Sequence, residues 1–162
     1  MSKELLKQAI KNLKISDIHL RSLDVKVSDT ESFVTIKNHK KVTQSYKSMV
    51  KIEEVKLSSD AADRILYVFR YAIGVRLVKE EDGDDVNAQA LVSIEAEFDA
   101  CYFAQCELEK PVLEAFSFNN VGYNVWPYWR EIVQGSCSKL GINPIRVPFY
   151  ELQSRPQKEN ES

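Results

Sequence analysis

The sequence predicts an α+β fold: a four-stranded antiparallel sheet, arranged as a meander with one long hairpin, followed by one main C-terminal helix and preceded by a short N-terminal amphipathic helix. Residues 65–78 and 86–108 predict the sheet, because apolar positions alternate with polar or mixed ones, as in strands that bury one face. Residues 126–140 predict the main helix, because their apolar side chains recur at three- and four-residue spacings.

The N-terminal segment also has helical spacing. One side carries Leu5, Leu6, Ala9, Ile10 and Leu13, and the opposite side carries four lysines, Lys3, Lys7, Lys11 and Lys14. Such a helix is expected to pack on its own sheet or on a neighbouring subunit. A helix lying on a membrane surface is the alternative, which the short length and the lack of aromatic side chains disfavour.

Four segments are predicted as strands: residues 18–27, 46–57, 65–78 and 86–108. The alternation of the second is imperfect, and the polar stretch before it, residues 28–45, is interpreted as a loop with one short strand at 33–36. Turns are predicted at residues 58–63, which contain Ser and Asp, and at the acidic residues 79–85, whose Asp-Gly step suits a hairpin.

The fourth predicted strand is unusually long. Every even-numbered position from Val86 to Leu108 is apolar or small. At about 3.3 Å per residue this segment would extend over about 75 Å, too far for a straight strand in a domain of this size. We therefore expect it to bend, to twist strongly or to project into a partner.

The main helix is predicted to begin between residues 122 and 125. Asn119 and Asn120 are possible N-terminal caps, and Gly141 suits a C-terminal cap. Pro127 then falls in or near the first turn, where its missing N–H costs no helical hydrogen bond. The proline is therefore interpreted as a start signal.

The composition is that of one globular domain. The 162 residues are 44% hydrophobic and 28% charged, which predicts one domain over residues 1–150, with residues 142–151 extended against the core, and a disordered polar tail over 151–162. The net charge of -2 provides no basic field to attract nucleic acid. No secretory signal or membrane-spanning stretch is recognised, so a soluble cytoplasmic protein is expected.

The sequence contains no recognised catalytic or cofactor motif. Its two histidines are far apart and give no zinc-site spacing. The cysteines are interpreted as reduced, buried or half-buried thiols: Cys101, Cys106 and Cys137. Three carboxylates on one face of the fourth strand are interpreted as solvated: Glu95, Glu97 and Asp99. We therefore expect a protein that is not an enzyme and that needs no cofactor or metal.

Large apolar side chains exceed what one helix can cover on one face of a sheet. They concentrate on the central strands and around the start of the main helix. We expect the remaining apolar surface to serve self-association or the binding of an apolar ligand.

The start of the main helix carries an aromatic run followed by a charged pair: Trp126, Pro127, Tyr128, Trp129, Arg130 and Glu131. This run resembles the SecB family of protein-export chaperones, in which an aromatic-Pro-Tyr-x-Arg-Glu run opens the main helix and a proline-containing extended segment follows. The order of the strands is also similar, so the resemblance covers residues 15–148. It implies a homotetramer, built as a dimer of dimers, that holds unfolded preproteins in long apolar grooves without nucleotide, cofactor or metal.

Two features are more similar to the SecB-like chaperones attached to toxin–antitoxin systems, whose client is an aggregation-prone antitoxin. The chain starts with a lysine-rich helix, and it ends soon after Tyr150 in a polar tail. Typical export chaperones continue into a second C-terminal helix and a tail that help to engage the translocase motor. Binding of that motor is therefore less expected here than binding of a client.

Contact with the client is predicted for seven aromatic residues near the strand ends and the helix start: Phe98, Tyr102, Phe103, Phe116, Phe118, Trp126 and Trp129. The other residues of the family run are interpreted as structural or subunit-contact groups: Pro127, Tyr128, Arg130 and Glu131. The leading hypothesis is an ATP-independent holdase, and the alternative is an interaction module dedicated to one partner, such as an antitoxin. A small-ligand or lipid-binding enzyme is disfavoured, because no convergent set of polar residues is recognised.

Overall fold

The computed structural model describes residues 2–59 and 63–154. The elements follow in the order α1 (Ser2–Asn12), β1 (Leu13–Val27), α2 (Phe33–Asn38), β2 (Lys41–Leu57), β3 (Arg64–Lys79), β4 (Val92–Ala104), α3 (Lys110–Phe116) and α4 (Gly122–Leu140), with a 3-10 turn at Glu80–Asp82 and a π-helical segment at Ser117–Val121. Parts of the turn predicted at 58–63 and of the tail predicted at 151–162 lie outside the described residues. Within those two described ranges, no helix is long and apolar enough to cross a membrane.

The four strands form one antiparallel sheet in the order β1-β4-β3-β2. The predicted fold class is confirmed: a four-stranded antiparallel sheet, a long C-terminal helix and a short N-terminal helix. The meander is limited to β2, β3 and β4, because β1 pairs with β4 and not with β2. Strands β1 and β2 are therefore the two edges of the sheet.

The core lies between one face of the sheet and the helices. The predicted alternation is confirmed on the two central strands, where the odd positions of β3 and the even positions of β4 are buried. At the centre, Phe69, Tyr102 and Phe116 pack ring against ring, with Tyr102 and Phe116 centroids 4.9 Å apart. We call the covered side the helix face and the opposite side the open face.

The strand prediction for residues 33–36 is wrong, because they belong to helix α2. The Ser32 side chain accepts a hydrogen bond from the Thr35 N–H, the Thr35 hydroxyl accepts one from the Ser32 N–H, and this capping box starts a helix. Ile36 is buried beneath it. In a segment this short, periodicity does not distinguish a helix from a strand, and the capping box determines that a helix forms.

Strand β4 is shorter than the predicted one. It begins at Val92, and residues 86–91 form an irregular segment, so the apolar even positions before Val92 do not belong to the strand. The sheet pairing starts where the Leu91 N–H donates to the Leu77 carbonyl at 2.8 Å. At 13 residues, β4 fits the domain without projecting from it.

The interpretation of Pro127 as a start signal is wrong. Helical structure runs without a break from Lys110 through the π-helical segment into α4, so Pro127 lies inside a helix. Pro111 is the proline in a first helical turn. Asn119 and Asn120 lie in the π-helical segment and cap no helix end.

The C-terminal cap prediction is confirmed. Gly141 adopts a left-handed conformation with φ of 69°. The N–H groups of Gly141 and Ile142 then donate to carbonyls of the last helical turn. This turn directs residues 142–154 back along the helix.

Candidate functional site

An apolar cleft lies between edge strand β2 and helix α3. Its volume is about 550 Å³, and its lining comprises Met49, Val50, Lys51, Ile52, Glu54, Tyr67, Lys110, Leu113, Glu114 and Ser117. Beyond the cleft, Lys47, two residues before Met49 on β2, lies over the Trp126 ring, and Asn119 and Tyr123 lie between Ser117 and Trp126 on the helical side. We call the cleft together with Lys47, Asn119, Tyr123 and Trp126 the trough.

A β-bulge shapes the strand side of the trough. Met49 pairs with Tyr71 and Lys51 pairs with Arg70, which leaves Val50 as an extra residue. The bulge brings both Met49 and Val50 to the cleft lining, and 49% of Val50 remains exposed. The sequence signal for this feature is the imperfect alternation at the adjacent apolar pair Met49 and Val50.

The floor of the cleft contains one fixed polar group, the hydroxyl of Tyr67. It accepts a hydrogen bond from the Leu108 N–H at 2.9 Å and donates to Glu54 Oε2 at 3.1 Å. Burial raises the pKa of Tyr67, so its phenol stays neutral at physiological pH. The cleft therefore offers apolar surface above a polar group that is already satisfied.

The other end of the trough is aromatic. Lys47 Nζ lies 5.4 Å from the Trp126 ring centroid and 4.5 Å from that of Tyr150, a cation–π arrangement. Burial lowers the pKa of Lys47, while the charge of Glu151 opposes this effect. Tyr150 belongs to the C-terminal segment, so this end is covered by the chain itself.

The structure separates the seven residues predicted to contact a client. Four of them are buried in the core of this chain and offer no surface: Phe98, Tyr102, Phe116 and Trp129. Phe103 is half-buried on the open face, with the Arg64 guanidinium 5.4 Å from its ring centroid. Phe118 and Trp126 are half-buried on the helical side, and of these Trp126 lies in the trough.

The two tryptophans do not share one environment, although they are one helical turn apart. Trp129 is buried against the sheet, whereas Trp126 contacts Tyr150 and donates its Nε1–H to the Pro148 carbonyl at 2.7 Å. The other members of the family run are exposed on the outer side of α4: Pro127, Tyr128, Arg130 and Glu131. Arg130 stacks on the ring of Phe149, 4.8 Å from its centroid.

A second depression of similar size lies on the open face, and most of the side chains that line it are polar. Gln44 donates to the carbonyl of Gly83 at 2.8 Å and accepts from Arg76 Nε at 2.8 Å, and Tyr46 reaches Glu95 at 3.4 Å. These groups satisfy one another across the sheet. The arrangement is a structural network, and the apolar trough is the better candidate for binding.

Two further expectations need correction. Asp99 is not a solvated carboxylate, because it accepts hydrogen bonds from Arg70 at 3.0 Å and Arg21 at 2.9 Å. Cys106 is exposed, whereas Cys101 and Cys137 are buried as expected. Across residues 2–59 and 63–154, no group of three or more side chains is placed to hold a metal ion.

The fold is similar to that of a solved structure. The SecB-like chaperone Rv1957 of Mycobacterium tuberculosis, in complex with a ChAD peptide from the Rv1956 HigA1 antitoxin, superposes with a TM-score of 0.61 at 17% sequence identity. The match covers 95% of this chain and 99% of the other. No protein-family model and no curated protein matches the sequence. At this identity the comparison establishes the SecB-like fold.

Proposed function

We propose that the protein is an ATP-independent chaperone that holds unfolded polypeptides in the trough. The observation that carries this proposal is the open apolar cleft between edge strand β2 and helix α3. Val50, Met49 and Ile52 provide apolar surface there, and burial of such surface is favourable by about 25 cal/mol per Å² whatever the sequence of the client. The trough thus suits clients that share hydrophobicity and no common motif.

Edge strand β2 adds a second means of holding a client. Within the described residues, β2 pairs with β3 on one side and has no strand on the other. An extended client can form backbone hydrogen bonds with such an edge, while its side chains enter the cleft. The bulge at Val50 restricts continuous pairing, which keeps the interaction reversible.

The clients of such a protein are extended chains, which include preproteins awaiting export and unstable antitoxins. The fold similarity to a chaperone in complex with an antitoxin peptide supports the antitoxin as client. A protein dedicated to an antitoxin would protect that one chain and leave other denatured proteins to aggregate. A panel of unrelated denatured clients therefore distinguishes a general holdase from a dedicated one.

We also propose that the chain assembles into a homo-oligomer through β1. Side chains on the helix face of this edge strand remain exposed: Ile15, Leu20, Leu23 and Val27. No helix covers this strip in the described part of the chain, and apolar strips of this kind are typical of subunit contacts. A tetramer built as a dimer of dimers is the assembly expected from the resemblance.

The test is suppression of aggregation without ATP. Light scattering of a thermally denatured client is recorded with and without the purified protein, and binding is measured with fluorescein-labelled, reduced and carboxymethylated lactalbumin, a chain that stays unfolded. We expect suppression and saturable binding. A protein that neither suppresses aggregation nor binds the unfolded chain would contradict the proposal.

A further inference from the structure

Residues 149–154, which we call the strap, lie along the aromatic end of the trough without regular secondary structure. Immediately before the strap, the Pro148 carbonyl accepts the Trp126 indole hydrogen bond at 2.7 Å. The Tyr150 ring packs edge-on against Trp126 and Tyr123, at centroid distances of 5.3 and 6.1 Å. An extended piece of polypeptide therefore already occupies part of the trough.

The Asn119 side chain forms hydrogen bonds with the backbone of this segment. The Gln153 N–H donates to Asn119 Oδ1 at 2.9 Å, and Asn119 Nδ2 donates to the Gln153 carbonyl at 3.2 Å. Both backbone polar groups of one residue are thus paired with one amide, as they would be by a neighbouring strand. Because the pairing involves no atom of the Gln153 side chain, it is independent of sequence.

Two features of the helical side, the π-helical segment and Gly122, leave space for the strap. Asn119 lies in the π-helical segment, a local widening of the helix that is frequent at functional sites. Gly122 leaves room for Tyr150: a Cβ at this position would lie 2.8 Å from the Tyr150 hydroxyl oxygen and 2.7 Å from that of Tyr71. The Tyr150 hydroxyl in turn donates to Asn119 Oδ1 at 3.3 Å.

Little of the apolar surface of the strap is buried. The Phe149 and Leu152 side chains are 78% and 74% exposed, so Tyr150 is its apolar anchor. The neighbouring cleft at Met49 and Val50 is left open. A longer chain that filled both the cleft and the aromatic end would bury more apolar surface than the strap does alone.

We propose that Asn119 is a backbone-binding subsite for one residue of an extended polypeptide, and that the strap of the same chain occupies this subsite until a client displaces it. This inference rests on the proposed function, since it requires a client in the trough. It assigns Asn119 a role in binding that a phenyl ring cannot perform, because the carboxamide carries a donor on its nitrogen and an acceptor on its oxygen, and here these pair with both backbone groups of one residue.

The test uses full-length variants and labelled, carboxymethylated lactalbumin as the client. Tyr150→Ala combined with Gln153→Pro removes the anchor of the strap and the N–H that donates to Asn119 Oδ1. This released variant should bind the client about three- to tenfold more tightly. Leu152→Ala is the matched control in the strap and should leave affinity unchanged. Adding Asn119→Ala to the released variant should weaken binding about three- to tenfold, because the client loses the same amide pair.

Hydrogen exchange of the wild-type chain provides a second measurement that needs no variant. Saturating client should accelerate exchange of the Gln153 amide as the strap leaves Asn119. If the Gln153 amide stays equally protected and the released variant binds no tighter than Leu152→Ala, the inference is overturned while the chaperone proposal stands. If neither the wild type nor any variant binds the unfolded chain, the proposed function itself fails.

Discussion

Arg70 and Asp99 form an ion pair across β3 and β4 on the open face, with Arg70 Nε donating to Asp99 Oδ1 at 3.0 Å. Arg21 on β1 donates to the other carboxylate oxygen at 2.9 Å, so one carboxylate links three strands. Burial by itself raises the pKa of Asp99, but the hydrogen bonds and charges of the two arginines outweigh it and hold the pKa below its usual range.

Asp99→Asn should therefore lower the free energy of unfolding at neutral pH. A carboxyl group whose pKa is lower in the folded state contributes stability above its unfolded pKa of about 3.9, and this contribution is lost as the pH falls through the folded pKa. The difference between wild type and variant should thus shrink as the pH falls below the unfolded pKa and through the lower, folded one. Urea unfolding at several pH values measures it.

The control for Asp99 is Asp24→Asn, which removes an exposed ion pair with Lys26. Exposed pairs contribute little, so its effect at neutral pH should be small. A loss of stability in Asp99→Asn that is equal at all pH values would argue against the ionic explanation.

Two glycines, one inside helix α4 and one at its C-terminal cap, should respond in opposite ways to replacement by alanine. Gly141→Ala forces a Cβ into the left-handed cap at φ of 69° and should destabilise the chain by about 1 kcal/mol. Gly135→Ala meets only ordinary contacts inside the helix and should stabilise it by about 0.5–1 kcal/mol. Thermal unfolding of both variants checks the pair, and a destabilised Gly135→Ala would mean that α4 is packed differently.

The two tryptophans should separate stability from binding. Trp129→Ala removes a buried ring and should cost about 3–5 kcal/mol of folding stability. Trp126→Ala should leave folding largely intact but change client affinity. The Trp126 ring forms part of the trough and packs on Tyr150 of the strap, and its indole N–H donates to the Pro148 carbonyl. Chemical unfolding together with client anisotropy tests this, and equal effects of both variants on stability would refute the distinction.

Polar substitutions on β1 should disrupt assembly without unfolding the chain. Leu20→Ser combined with Leu23→Ser alters side chains that are about half exposed on the helix face of the edge strand. We expect a smaller species in size-exclusion chromatography with light scattering and a nearly unchanged unfolding midpoint. Val86→Ser, at an apolar side chain exposed elsewhere, is the control, and an unchanged mass in both variants would place any subunit contact away from β1.

Periodicity predicted the fold better than it predicted the site. The alternation on β3 and the helical spacing from Trp126 each report burial on one face, so those elements are read directly from the sequence. Alternation places Phe98 and Phe103 on opposite faces of β4, but it does not show that helices of the same chain cover the face with Phe98 and so remove it from any client. Pairing β1 with β4 also reflects a long-range contact that no local pattern encodes.

The sequence does not predict the trough, because both of its sides depend on local irregularities of the backbone. Its strand side depends on a bulge at Val50, whose sequence signal is one break in alternation, and its helical side depends on a π-helical segment at Asn119, where the sequence predicts a cap. A side-chain amide near a predicted helix start is usually a cap, so the usual interpretation prevailed. The binding role proposed for Asn119 emerges only when residue 153 is placed beside it.

Site-specific photocrosslinking tests the central claim most directly. A photoreactive residue at Val50, in the cleft, is compared with one at Val55, which is exposed on the same strand but on the open face. With carboxymethylated lactalbumin bound, the trough account predicts client crosslinks from position 50 and few from position 55. Equal crosslinking at both positions, or crosslinks from position 55 alone, would contradict it.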